Sequence, residues 1–184
     1  MYKTGIIIVL TIVGLFSCKI SKIKNIEYIA SSKVMAVTDA TLPKLNVYFP
    51  KKITPEKKPI LIFVHGGYWD GGDKDIYFFL GKNFAKRDVV TIIPGYTLSP
   101  TASYDVMAYQ IAESIKWAKK HAGVFNGDTN KIFITGHSAG GHLAALAVMN
   151  PKYGIQKGTI AGIILNDAAF LDAYTYLSEY PPTE

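Results

Sequence analysis

A serine with a glycine two residues away on each side constrains the fold of this chain more than any other feature of the sequence. Residues 131–135 favour a strand and residues 139–149 are rich in alanine, which favours a helix. Gly136 and Gly140 flank Ser138 between these two segments. Because larger side chains at the glycine positions would collide in a tight strand-to-helix turn, the spacing predicts such a turn with Ser138 at its apex.

A serine at that apex is a candidate nucleophile. It is held in strained backbone geometry and projects above the sheet, where a substrate can reach it. The alternative is a glycine-rich helix start that contains Ser138 by chance. The strand pattern before the glycines and the helix pattern after them favour the nucleophile.

Strand and helix patterns alternate along most of the chain. The predicted strands are residues 45–49, 60–64, 89–93, 131–135 and 160–165, and the predicted helices are residues 73–87, 104–121 and 138–149. The last four strands are continuous apolar runs, which is typical of strands buried on both faces. The first precedes this alternation and is expected to be antiparallel. The sequence therefore predicts an α/β fold with a mostly parallel sheet and a turn at residues 127–128 before the strand that leads to Ser138.

A second motif, His65-Gly66-Gly67, follows the strand at residues 60–64. Consecutive glycines let the backbone approach a substrate closely, and backbone N–H groups stabilise the negative charge that acyl transfer builds on oxygen. The expected donors of this oxyanion hole are the N–H groups of Gly66, Gly67 and Ala139. We expect His65 to hold the loop through its ring nitrogens. The alternative is a simple turn at the end of the strand.

Together these motifs resemble those of α/β-hydrolase-fold esterases and lipases, a group that includes hormone-sensitive-lipase-like carboxylesterases and feruloyl and acetyl-xylan esterases. Residues 95–100 are similar to the G-Y-R-L-x-P segment of that group, with Thr97 where arginine is usual. Residues 65–69, with Asp73 and Lys74 soon after, are also similar to kynurenine formamidases. The resemblance spans roughly residues 26–170. It implies an α/β-hydrolase fold with helices on both faces of the sheet. It also implies that the protein hydrolyses a small-molecule ester with Ser138 as the nucleophile, and that the reaction needs no metal or cofactor. An arylformamidase-type amidase is the alternative.

In that family the nucleophile is followed along the chain by an acidic residue and then by a histidine, on loops after two further strands. No histidine follows His142 here. We therefore expect a fragment that is incomplete at its C-terminus, with residues 160–165 as an edge strand. None of His65, His121, His137 and His142 has a position suited to the catalytic base. His142 follows Ser138 by one helical turn and is expected to point along the helix and not across the site. Asp167 has two interpretations, a catalytic acid or a helix cap.

The first 18 residues predict export. Residues 5–16 form an apolar segment shorter than the roughly 20 residues that span a bilayer, which is typical of a signal peptide. Residues 15–18 resemble a bacterial lipobox, and Cys18 is the only cysteine of the chain. We therefore expect a signal peptide at 1–17, lipidation of Cys18 on the cell envelope, a tether at 18–30 and the hydrolase domain at 31–184. The alternatives are an ordinary signal peptide or an uncleaved anchor.

The net charge of +6 does not by itself indicate a nucleic-acid partner. Arg87 is the only arginine, so bidentate contacts to phosphate or guanine are nearly absent. The early lysines appear scattered, which predicts a solvated basic surface. The expected partners are an ester substrate and a membrane, and the oligomeric state stays open. A non-catalytic, hydrolase-like envelope lipoprotein is the rival hypothesis from another functional class.

Overall fold

The computed structural model describes residues 19–29, 42–169 and 171, and this part of the chain forms a six-stranded sheet with helices on both faces. In chain order the main elements are β1 (Ile20–Glu27), β2 (Lys44–Pro50), β3 (Lys58–Val64), α1 (Phe78–Ala85), β4 (Val90–Pro94), α2 (Tyr104–His121), β5 (Gly127–His137), α3 (Ala139–Met149) and β6 (Gly162–Asn166). Short 3-10 helices span Ala122–Phe125 and Pro151–Tyr153.

The strands lie in the order β1-β2-β4-β3-β5-β6. β1 pairs antiparallel with β2, and β2 pairs antiparallel with β4. β4, β3, β5 and β6 are parallel to one another, so their carboxyl ends meet at one edge of the sheet. The predicted mostly parallel α/β architecture and the predicted antiparallel strand at 45–49 are both confirmed.

The main core lies between the sheet and the helices α2 and α3. Ile60, Ile62, Ile132 and Ile134 in the central strands are completely buried there. The helix α2 buries Met107, Ile111, Ile115 and Ala118 against them, at the three-to-four-residue spacing of one helix face. Ser103 caps the first turn of α2 through a bond from the N–H of Val106, and residues 119–121 supply basic side chains in the last turn.

A smaller cluster covers the opposite face of the sheet. Tyr48, Phe63 and Ile93 pack there against Ala85 of α1. A Cβ atom on Gly81 would lie 2.3 Å from the ring of Tyr48, so α1 approaches β2 too closely for any larger residue at this position. Helices therefore flank both faces, as the sequence predicts.

The predicted tether at 18–30 is wrong for residues 20–27, which form β1. The apolar residues Ile20, Ile23 and Ile26 do not alternate in the period of two that indicates a strand. For Ile23 and Ile26 the reason is a bulge, because the register with β2 shifts between them and Asn25 has a φ of 58°. Ile20 packs on the other face of the sheet. The N–H of Asn25 is bonded instead to the side-chain oxygen of Asn46.

The first helix begins five residues later than predicted. Residues 74–77 form turns because Asp75 is tied to the neighbouring strands. Its carboxylate accepts a hydrogen bond from Asn46 on β2 and is paired with Lys24 on β1 and with Lys74. These contacts, led by the bond from Lys24, lower the pKa of Asp75 to about 2.

Two strands differ from their predicted bounds. β5 begins at Gly127, where a turn was predicted, because this residue already pairs with Lys58 of β3. β6 begins two residues later than predicted and lies at the edge of the described sheet, as expected. Ile164 is 58% exposed on this edge strand.

The predicted signal peptide and Cys18 lie outside the described residues. Within residues 19–29, 42–169 and 171, no helix is both long enough and apolar enough to cross a membrane.

Candidate active site

Ser138 lies at the turn between β5 and α3, as the glycine spacing predicts. Its backbone has φ 52° and ψ −123°, a conformation that residues with a side chain rarely adopt. The N–H of Ser138 donates a 3.1 Å hydrogen bond to the carbonyl of Asn166 at the end of β6. Its own carbonyl accepts hydrogen bonds from the N–H groups of Gly141 (2.8 Å) and His142 (3.2 Å). These contacts hold the strained turn from both sides.

The two glycines that flank Ser138 are required by close backbone packing. A Cβ atom on Gly136 would lie 2.3 Å from the carbonyl oxygen of Gly140. A Cβ atom on Gly140 would lie 2.3 Å from the carbonyl oxygens of both Val64 and His65. The start of α3 therefore packs directly on the end of β3, where the second motif begins.

The glycine pair after β3 lies against Ser138. A Cβ atom on Gly66 would lie 3.2 Å from the Cβ of Ser138 and 2.7 Å from the carbonyl oxygen of His137. The two motifs are 72 residues apart in the sequence, and the parallel pairing of β3 with β5 brings them together. Only a residue without a side chain fits between the loop and the turn.

Three backbone N–H groups at this junction are available to a ligand. Among the described residues, the N–H groups of Gly66, Gly67 and Ala139 donate no hydrogen bond to the protein. These are the three donors that the sequence predicts for an oxyanion hole. Preorganised amides of this kind stabilise negative charge on a substrate oxygen.

Residues 67–72 form a tight loop beside these amides. The carbonyl of Gly67 accepts hydrogen bonds from the N–H groups of Asp70 and Gly71, and Gly67 has a φ of 130°. Tyr68 and Trp69 follow with φ values of 50° and 64°. Three consecutive residues with positive φ reverse the direction of the chain, and the ring of Trp69 packs against the ring of His142 with 5.5 Å between centroids.

The buried side chain of His65 contacts the loop that contains Gly66. Its side chain is buried, its Nδ1 lies 3.0 Å from the carbonyl oxygen of Gly66, and its ring stacks on Tyr96 at 4.3 Å between centroids. The hydroxyl of Tyr96 donates a 2.9 Å hydrogen bond to the carbonyl of His65. Burial lowers the pKa of His65, so the ring is neutral at pH 7. The expected positioning role of His65 agrees with these contacts.

His142 occupies a different place from the one expected. The sequence predicts that it points along α3, whereas its ring lines a cavity, with the ring centroid of Trp69 5.5 Å away and that of Tyr104 6.2 Å away. Its Nδ1 is buried and has no hydrogen-bond partner among the described residues. Burial lowers the pKa of His142, so this ring is also neutral at pH 7.

The cavity that His142 lines has a volume of about 720 Å³, which suits a small organic molecule. Its walls come from the loop at residues 68–70, from α2 and the segment before it, and from α3. Met107 and Leu146 contribute apolar surface, and Ser103 and Asp70 contribute polar groups.

The other candidate residues lie at three different places in the fold. His121 ends α2 and bonds through Nδ1 to the carbonyl of Trp117. His137 precedes the nucleophile candidate and flanks Gly66. Asp167 follows β6, is exposed and has a φ of 49°. In the part of the chain that the structure describes, no three His, Cys, Asp or Glu side chains are placed to hold a metal ion.

A protein-family model matches more than half of the chain and shows which family the chain belongs to. The BD-FAE family model matches residues 45–162, which include β2 to β5, Ser138 and the loop at Gly66. The chain belongs to the BD-FAE family. The matched segment covers the described sheet from β2 to the start of β6.

Curated relatives of this BD-FAE chain are hydrolases. It is 33% identical over 105 residues to kynurenine formamidase from Danio rerio, covering 57% of this chain and 34% of the relative. It is 32% identical over 115 residues to the isoprenylcysteine alpha-carbonyl methylesterase ICME from Arabidopsis thaliana, covering 62% and 27%. It is 34% identical over 114 residues to esterase LipC from Mycobacterium tuberculosis, covering 59% and 28%. The chain therefore spans about a third or less of the length of these relatives.

Solved structures show the fold. Esterase B from Lactobacillus rhamnosis superposes with a TM-score of 0.66 at 23% identity, covering 80% of this chain and 47% of that one. Butyrate-bound esterase 2 from Thermogutta terrifontis superposes with a TM-score of 0.63 at 26% identity, covering 71% and 50%. The BD-FAE chain has the α/β-hydrolase fold.

Sequence reasoning assigned no role to Tyr96 and Tyr104 of the BD-FAE chain. Tyr96 stacks on the ring of His65 and donates a hydrogen bond to its carbonyl, and the ring of Tyr104 packs against the ring of His142. A signal for Tyr96 exists, because it follows the carboxyl end of β4 and the neighbouring parallel strand β3 ends directly before His65. Tyr104 begins a helix, and nothing local indicates that it faces the site.

Proposed function

We propose that this chain contains the nucleophile and the oxyanion hole of a serine hydrolase that acts on carboxylic esters. Ser138 is the nucleophile, and the N–H groups of Gly66, Gly67 and Ala139 hold the oxyanion. The single observation that carries the proposal is the close contact between Gly66 and Ser138, with unengaged amide donors on both sides of it.

In the proposed reaction the Ser138 hydroxyl oxygen bonds to the ester carbonyl carbon and loses its proton to a base. The carbonyl oxygen becomes negative and is stabilised by the amides of Gly66, Gly67 and Ala139. The alcohol then leaves with a proton, and water releases the acyl group from Ser138. The apolar walls of the cavity at Met107 and Leu146 favour a substrate with an apolar group beside the ester.

The base and the acid are proposed to lie beyond Glu184 in the complete polypeptide. His65 is engaged by Gly66 and Tyr96, and His121 is bonded within α2. The order of nucleophile, acid and histidine in this fold supports a later position for both groups.

The test uses the polypeptide encoded by the native gene, including whatever follows the codon for Glu184. A fluorophosphonate probe reacts with activated serines, so we expect it to label Ser138, as located by mass spectrometry. Ser138→Ala should abolish both the labelling and the hydrolysis of a p-nitrophenyl ester. The matched control is Ser21→Ala on β1, which should leave both unchanged.

An unlabelled wild-type protein, or equal labelling of the wild type and Ser138→Ala, would refute the nucleophile assignment. Either result would favour the rival hypothesis, a non-catalytic, hydrolase-like envelope protein.

Formamide hydrolysis is the second candidate. The similarity to a kynurenine formamidase supports it, as does the cavity wall formed by the aromatic rings of Trp69 and Tyr104. The discriminating measurement is kcat/KM for a phenyl ester against kcat/KM for the matching N-formyl anilide. A higher value for the anilide would replace the ester proposal with an amidase.

We also propose that the protein is anchored to the cell envelope by lipid on Cys18. The lipobox-like residues 15–18 and the preceding apolar segment support this location. Metabolic labelling with a clickable palmitate should mark the wild type and should fail with Cys18→Ala. Equal labelling of both proteins would refute the anchor.

A further inference from the structure

Four lysines from three separate parts of the sequence lie close together at one end of the fold. Lys19, Lys51, Lys52 and Lys86 surround a shallow cavity of about 520 Å³ and are exposed to solvent. We call this group the basic face.

The antiparallel pairing of β1 with β2 creates the basic face. Ile20 at the start of β1 pairs with Pro50 at the end of β2. Lys19 therefore lies beside Lys51, and the N–H of Lys51 donates a 3.0 Å hydrogen bond to the carbonyl of Lys19. Lys86 reaches the same place from the C-terminal end of α1.

The positive charge of the basic face is largely uncompensated. Among the described residues, none of its four lysines forms an ion pair within 4.0 Å. One carboxylate, that of Asp88, borders the cavity. Lys58 lies 3.8 Å from Asp88 and offsets its charge, which leaves the four lysines in excess.

The basic face and Ser138 lie at opposite edges of the sheet. β2 runs antiparallel to β4, with Leu45 opposite Pro94 and Tyr48 opposite Thr91, so β2 ends where β4 begins. β3 and β5 run parallel to β4 and end at the far edge, where Gly66 and Ser138 meet. A surface that contacts the basic face would therefore leave the Ser138 region open to solvent.

We propose that the basic face binds the anionic headgroups of a phospholipid bilayer and holds the protein with its candidate active site turned away from that bilayer. Lys19 directly follows Cys18, so a lipid on that cysteine would bring this face to the membrane surface. Lysines near an anionic leaflet each strengthen binding about fivefold. The orientation proposal goes beyond the catalytic proposal and does not depend on it.

The composition of the basic face favours a lipid surface over a nucleic acid. All four cations are lysines, whose ammonium groups act as point charges on flexible side chains. None of them has the planar fork that pairs with phosphate and base edges. Many dispersed headgroups suit such side chains, because no single geometry has to be met.

The test measures how fast each lysine of the full chain reacts with a membrane-impermeant acetylating reagent. The protein is reconstituted from detergent into vesicles of phosphatidylcholine alone, or of phosphatidylcholine mixed with phosphatidylglycerol. We expect the four basic-face lysines to react at least about fivefold more slowly in the phosphatidylglycerol vesicles. Lys44, which begins β2 at the opposite edge of the sheet, is the internal control and should react equally in both.

Charge reversal provides the matched variants. Lys51→Glu with Lys52→Glu should remove the protection of Lys19 and Lys86, whereas Lys44→Glu, at the opposite edge of the sheet, should not. Equal reaction of the basic face in the two kinds of vesicle overturns the proposal. Equal protection by inorganic phosphate or by an oligonucleotide without vesicles also overturns it, in favour of a soluble anion. Palmitate labelling of Cys18 is read separately, so failure of the anchor and failure of the basic face are distinguishable.

Discussion

Gly136 and Gly140 pack backbone against backbone beneath Ser138. A Cβ atom on Gly136 would lie 2.3 Å from the carbonyl oxygen of Gly140, and a Cβ atom on Gly140 would lie 2.3 Å from the carbonyl oxygens of Val64 and His65. The obstructing atoms are all backbone, so a small rotation of a side chain cannot make room. Close packing of this kind fixes the distance between the turn at Ser138 and the loop at Gly66.

The first prediction concerns the cost of a methyl group at this contact. Gly140→Ala should lower the free energy of unfolding by about 1–3 kcal/mol, because β3 or α3 has to shift. Urea unfolding followed by circular dichroism measures the change. The control is Gly123→Ala, where an added Cβ would meet no atom within 4 Å. Equal losses in the two variants would show that the contact at Gly140 is looser than described.

Local patterns predicted the elements around the site. The glycine spacing at Ser138, the apolar runs of β3 and β4 and the bounds of α2 depend on neighbouring residues, and such short-range rules act within a single element. The partner of each strand depends on the whole chain. The placement of β4 between β2 and β3 brings Tyr96 against His65, and local patterns do not predict that placement.

Features that depend on bulges and on distant pairing were missed. β1 was predicted as tether because its three isoleucines do not alternate, and the bulge at Asn25 adds a residue between Ile23 and Ile26. The gathering of Lys19 with Lys51 follows from that same strand. Once β1 is read as a tether, no local rule places these lysines together.

The second prediction tests the oxyanion loop and rests on the proposed function. Gly66→Ala should lower kcat for ester hydrolysis about a hundredfold to a thousandfold with little change in KM, because the added Cβ pushes the loop from His137. The protein to measure is the complete native polypeptide.

Gly71→Ala is the matched control in the same loop. Its added Cβ would meet only the carbonyl oxygen of Gly67, at an ordinary contact distance of 3.5 Å. We expect its kcat to stay within about twofold of the wild type. Similar losses in both variants, with unchanged melting temperatures, would mean that the loop acts through its general shape and that Gly66 has no special role.

The third prediction concerns pH. Burial lowers the pKa of His65, and this outweighs the opposing effect of its hydrogen bond with Gly66. The unfolded chain therefore binds a proton near pH 6.5 that the folded chain does not yet bind. Stability is fully present above that pH and should fall as the pH drops below it, until the folded His65 itself is protonated.

Urea unfolding between about pH 7.5 and pH 5 measures this slope. His65→Asn keeps a side-chain N–H near Gly66 and removes the titration, so the slope should become shallower. Part of the slope should remain because burial also lowers the pKa of His142. A slope that His65→Asn leaves unchanged would show that His65 does not carry the pH dependence.

The last prediction concerns the edge strand β6. Its side chain Ile164 is 58% exposed and Leu165 is 38% exposed, on a strand whose outer backbone groups have no neighbouring strand among the described residues. Apolar edge strands pair readily with other chains, so the 184-residue chain should self-associate.

Ile164→Lys should reduce the associated fraction in light scattering, because a charge on the edge opposes pairing. Ile76→Lys, at an isoleucine that is 60% exposed before α1, should leave it unchanged. A monomeric wild type, or an equal effect of both lysines, would mean that β6 is not the association site.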